Sequence, residues 1–113
     1  MSLYMTRFSY TPKAWEAFVK NPEDRSDVFR ELVERLGGQL LSFYYCFGDY
    51  DGVVIFEAPD EATATATIIT AITPGHLKAT ETTVLVSVED TVEAMRKADP
   101  RRYRGPELWT TPS

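Results

Sequence analysis

Side chains alternate in character from Leu3 to Tyr10, with Leu3, Met5 and Arg7 on one side and Tyr4, Thr6, Phe8 and Tyr10 on the other. A period of two predicts a strand, in which Arg7 is the odd residue. Thr11-Pro12 then reads as a cap with proline at the first helical position, and Trp15, Phe18 and Val19 give a short amphipathic helix. Asn21-Pro22 repeats that start signal. Val28, Phe29, Leu32, Val33 and Leu36 supply the apolar stripe of the main first helix, which Gly37-Gly38 ends.

Two nearly continuous apolar runs follow, at residues 39–47 and 51–58, joined by Gly48-Asp49-Tyr50. So short a loop forces an antiparallel hairpin. Runs of this kind predict a sheet covered on both sides. Pro59 stops the strand and Asp60 caps a second helix, whose face is expected at Ala62, Ala66, Ile69 and Ile72. Its threonines are poor helix formers, so packing must hold it. Thr73-Pro74-Gly75 breaks it, and a fourth strand is expected at residues 78–86. Ser87 and Asp90 start a third helix with Val88, Val92 and Met95 on its apolar stripe, and Asp99-Pro100 closes it.

The order is β-α-β-β-α-β with a terminal helix. Right-handed crossovers turn it into a four-stranded antiparallel sheet with both long helices on one side, the α+β ferredoxin-like sandwich. The other face is expected to expose part of Tyr44, Val54 and Phe56, more apolar area than a soluble monomer usually shows. A second copy of the chain, paired sheet to sheet, is the expected cover. Residues 1–99 form this domain and residues 100–113 a tail, in which Leu108 and Trp109 are notably apolar.

Composition changes the picture only by exclusion. With 113 residues the chain makes one domain, and 17 acidic against 12 basic side chains leave a net charge of -5. That argues against nucleic acid or an anionic membrane as partner. The basic cluster at Arg101, Arg102 and Arg104 reads as a solvated or subunit-contacting tail. Cys46 is a lone cysteine, which excludes an intramolecular disulfide and suggests a reducing compartment. No apolar run approaches the roughly 20 residues of a membrane span, and residues 1–10 lack signal-peptide features. The expected location is cytoplasmic.

Gly48-Asp49-Tyr50-Asp51, then Val53-Val54-Ile55 and Glu57-Ala58-Pro59-Asp60, resembles the signature of the GYD domain family. Gly37 to Tyr44 and Thr80-Glu81-Thr82 fit the same pattern. This bacterial and archaeal family is similar in fold to the dimeric α/β-barrel proteins, so the resemblance implies that fold and no particular reaction. Cys46, Phe47, Gly52 and the segment after Lys97 depart from the pattern.

Candidate chemistry is sparse. Tyr50 and Asp51 pair a phenol with a carboxylate at a strand end, fit to move a proton or to brace the turn. His76, the single histidine, follows Pro74-Gly75 and is either a loop residue or a general base. Cys46 has no basic sequence neighbour and reads as a buried inert thiol. Tyr4, Arg7, Tyr44 and Glu57 come from strands expected to be adjacent and are the candidate ligand-binding residues, Arg7 with Glu57 or Glu81 as its carboxylate. No metal site is expected, because one imidazole and one thiol are too few, and no cofactor motif is present. Two functions fit: a homo-oligomeric small-molecule-binding or structural and regulatory protein, or a cofactor-independent monooxygenase- or isomerase-like enzyme acting on a small organic molecule.

Overall fold

The computed structural model describes residues 1–106. Strand β1 (Ser2–Tyr10) leads into helices α1 (Pro12–Lys20) and α2 (Arg25–Arg35), then the hairpin of β2 (Gln39–Tyr45) and β3 (Gly52–Ala58). Helix α3 (Glu61–Ile72), strand β4 (Leu77–Leu85) and helix α4 (Val88–Lys97) follow, with a single 3-10 turn at Pro100–Arg102. The sheet is antiparallel in the order β2-β3-β1-β4. This is the expected ferredoxin-like topology. Tail residues Leu108 and Trp109 lie outside the described residues.

Each helix start is secured by a side-chain cap. The Thr11 Oγ1 accepts from the Ala14 N–H at 3.1 Å, Asp60 from the Thr63 N–H at 2.8 Å, and the Ser87 Oγ from the Asp90 N–H at 3.0 Å. The cap of α2 is Asp24, which accepts from the Ser26 N–H at 2.9 Å. Asn21-Pro22, expected to start that helix, instead ends α1, where the Asn21 N–H bonds the Ala17 carbonyl. Asp24 wins because an ionised carboxylate is the stronger acceptor at the positive end of a helix. Gly37 takes φ +86° at the end of α2. At Gly38 a Cβ would lie 2.1 Å from the Glu57 carbonyl oxygen, so glycine lets the chain turn tightly under β3.

The core lies between sheet and helices. Tyr4, Thr6, Phe8 and Tyr10 of β1 and Val54, Phe56 and Ala58 of β3 are all buried there. The expected exposure of Val54 and Phe56 is thus corrected: Phe56 is fully enclosed, against Tyr4 and Phe29. A run such as Val53-Val54-Ile55-Phe56 has no polar alternation to mark its inner face. Strand β2 compounds the ambiguity with a bulge between Leu40 and Ser42, which sends Leu40 and Phe43 inward and Tyr44 outward.

Helix α3 turns a different face inward from the one its apolar residues suggest. Ala64 and Thr67 are buried, whereas Ile69 and Ile72 are exposed. The Thr67 hydroxyl donates to the Thr63 carbonyl at 2.9 Å, which satisfies its polar group within the helix and lets its methyl join the core.

The far face of the sheet is open. It carries Leu3, Met5, Val53, Ile55, Tyr44 and Leu85 around Arg7, Glu57 and Glu81. Helix α4 is exposed along its whole length, including Val88, Val92 and Met95. The chain exposes 8559 Å², where a compact monomer of 12.8 kDa exposes about 6,300 Å². Its radius of gyration is 19.2 Å, against about 13 Å for a compact chain of this length.

Candidate functional site

Tyr10 ends β1 at a small bulge and organises the aromatic cluster between sheet and helices. Its ring meets Phe8, Trp15 and Phe18 edge-on, with centroids 5.3, 5.2 and 4.9 Å away. The His76 ring stacks on it at 5.9 Å and an interplanar angle of 29°. Its hydroxyl lies 3.3 Å from that of Tyr45. The Thr11 N–H donates to the His76 carbonyl at 2.9 Å and so ties the β4 entrance to the start of α1.

Asp51 supports this cluster from below. Its Oδ2 accepts from the Tyr10 N–H at 2.9 Å and from the Trp15 indole N–H at 3.1 Å, and its own N–H donates to the Phe8 carbonyl at 2.8 Å. The carboxylate thereby closes the hairpin end onto β1 and α1.

Beside the cluster lies a cavity of about 290 Å³, walled by Phe29, Leu32, Phe43, Val54, Ile68 and Ala71. Tyr10, His76 and Arg25 form its polar corner, and Glu31 and Arg35 also line it. The Arg25 guanidinium sits 5.8 Å from the Phe18 ring centre and donates one Nη1 bond to Glu23 at 3.3 Å. Burial, reinforced by the hydrogen bond with Tyr45, pushes the Tyr10 hydroxyl well above the usual tyrosine pKa. Burial first, and the Arg25 charge second, hold the His76 imidazole below its ordinary value. At neutral pH the corner therefore holds a protonated phenol, a neutral imidazole and a guanidinium.

The other sequence candidates fall elsewhere. Arg7 pairs with Glu81 on the open sheet face, the second of the two carboxylates considered for it. The Tyr50 hydroxyl donates to Glu81 Oε2 at 3.4 Å, and the Arg7 guanidinium lies 4.7 Å above the Tyr50 ring. The hydrogen bond to Arg7, then its charge, lowers the Glu81 pKa. Arg7 Nε is buried without a partner among the described residues. Glu57 and Tyr44 share that outer face, whereas Tyr4 stacks on Phe56 in the core at 5.6 Å. Of the candidates, His76 alone lines the cavity. Cys46 is exposed, contrary to the buried thiol expected, because β2 ends one residue before it.

Residues 4–95 match the GYD domain, covering most of the chain. The chain belongs to the GYD domain family. This GYD domain is 29% identical over 96 residues to the glutamine synthetase and cystathionine beta-lyase binding protein of Thermus thermophilus, spanning 85% of this chain and 100% of that one. Among solved structures it superposes on MtbAldR with a TM-score of 0.56 at 15% identity, over 76% of this chain and 52% of the other, about half of that protein's length. An uncharacterised NIPSNAP domain protein from Burkholderia xenovorans gives a TM-score of 0.50 at 19% identity, over 78% and 95% of the two chains. The fold is similar to that of dimeric α/β-barrel proteins.

Sequence reasoning missed Tyr10, Arg25 and Phe43 as parts of the GYD domain's cavity. Tyr10 was legible as an inward strand residue. Arg25 offered no signal, since a charged residue after a helix cap is ordinarily solvated. Among the described residues, no group of three or more His, Cys, Asp and Glu side chains is placed to hold a metal ion, and no helix is long and apolar enough to cross a membrane.

Proposed function

We propose that this GYD domain protein is a homo-oligomeric small-molecule-binding protein with a regulatory role. The observation that carries the reading is the cavity, close in volume to the lower end of small-molecule sites, about 300–1,000 Å³, with apolar walls and one polar corner at Tyr10, Arg25 and His76. Such a site fixes orientation with few groups and supplies affinity through its walls.

Self-association is supported by the open sheet face and by the exposed apolar stripe of α4. The surface in excess of a compact monomer is larger than the roughly 800 Å² that each partner buries in a standard interface. Arg7, Tyr44 and Glu57 lie on that face, so their candidate role becomes one of contact with a second copy. The T. thermophilus relative, named for binding two enzymes, supports a role exercised through protein contact.

A specific observation favours the enzymatic alternative: a neutral imidazole stacked on a buried phenol is a competent general base. Native mass spectrometry of protein purified from its own host tests the main reading. The expected species is an oligomer retaining one small molecule per subunit, lost when Ala71→Phe fills the cavity. An empty monomer refutes it.

A further inference from the structure

The hydrogen-bonding groups at the cavity's polar corner are unevenly matched. Tyr10 stays protonated and shares its hydroxyl with that of Tyr45 at 3.3 Å, His76 carries one N–H as a neutral imidazole, and Arg25 has five N–H groups, of which one is given to its ion-pair partner Glu23. The corner thus offers mainly donors. The carboxylates in and behind the corner are already engaged. Glu31 is paired with Arg35 at 3.2 Å, and Asp51 is held by the Tyr10 and Trp15 N–H groups. Phe29, Phe43 and Ile68 supply apolar lining to the same cavity.

We propose that the cavity takes a small organic carboxylate with an apolar body about the size of an aromatic ring, its anionic head at Arg25, Tyr10 and His76 and its body against Phe29, Phe43 and Ile68. The proposal rests on the reading of this cavity as the binding site and adds the chemical class of its occupant. A planar guanidinium matches a carboxylate in geometry as well as charge. An organic cation would face Arg25 with no unpaired carboxylate lining the cavity among the described residues. A phosphate dianion would bring more negative charge than the corner can match, since Arg25 already shares its charge with Glu23 and Arg35 with Glu31. A neutral carbonyl would match fewer of the corner's donors and forgo the charge-assisted bond to Arg25, and a ligand without any acceptor would leave them all unmatched, which costs affinity.

Isothermal titration of the full chain with phenylacetate, 3-phenylpropanoate and indole-3-acetate, each beside its uncharged primary amide, tests the proposal. At least one acid is expected to bind ten-fold or more tightly than its amide. Arg25→Gln should bring acid and amide to similar affinities, whereas Arg96→Gln, on exposed α4, should change neither. Ala71→Phe should abolish binding of both, with circular dichroism confirming the fold. Amides binding as well as acids, or an acid preference that survives Arg25→Gln, overturns the carboxylate assignment while leaving the cavity as a binding site. Binding that persists in a folded Ala71→Phe variant, or absence of binding by every acid and amide, overturns both.

Discussion

Replacing Asp51 with alanine separates a structural carboxylate from a chemical one. The Oδ2 of Asp51 is the shared acceptor for the Tyr10 N–H at 2.9 Å and the Trp15 indole N–H at 3.1 Å. Alanine leaves both donors stranded beside an aromatic cluster. Hydrogen bonds to a charged group contribute about 1.5–3 kcal/mol each. The site is only partly buried, so water recovers some of that, and the loss should total about 2–4 kcal/mol. Typical domains have about 5–15 kcal/mol in all. For a chain of this size the melting temperature should fall by about 8–16 °C. Asp51→Asn keeps an oxygen in place and should lose about half as much. Urea denaturation followed by far-ultraviolet circular dichroism reads the change in midpoint, with an unchanged slope as control. An alanine variant within about 0.5 kcal/mol of the parent would refute the bracing role.

Three further outcomes are expected. Gly52→Val should destabilise the fold by about 1–3 kcal/mol, because even a Cβ there would lie 2.3 Å from Phe8 Cζ in the packed core; calorimetry checks it. Burial lowers the His76 pKa, so below the unfolded value near 6.5 the unfolded chain takes up a proton that the folded chain resists. Stability should therefore be intact above that pH and decline as pH falls toward the folded pKa, and His76→Gln should flatten this slope in denaturation midpoints between pH 7.5 and 5. Substituting Val88, Val92 and Met95 of α4 together by serine should leave the folded domain intact but weaken self-association, which light scattering coupled to size exclusion measures.

Local signals in the sequence determined the elements. Alternation in β1, the caps at Thr11, Asp60 and Ser87, the break at Gly37 and the short link between β2 and β3 each depend on interactions spanning a few residues. They are legible because backbone donors near a helix start need an acceptor close by, and because glycine alone takes positive φ cheaply. Their order and handedness then leave one sandwich topology, and the GYD-like residues agree with it.

What only the tertiary structure decided is which side of each element meets which neighbour. The bulge in β2, the inward turn of Phe56, the burial of Thr67 and the choice of Glu81 over Glu57 for Arg7 all depend on register between distant segments. A shift of one residue reverses every side chain of a strand, and an apolar run carries no mark to choose between the alternatives. The cavity belongs to the same class of facts. Tyr10, Arg25 and His76 come from a strand end, a helix start and a loop that nothing local connects. Their convergence follows from α2 and α3 packing across the sheet, because a cavity is the space that packed elements leave between them.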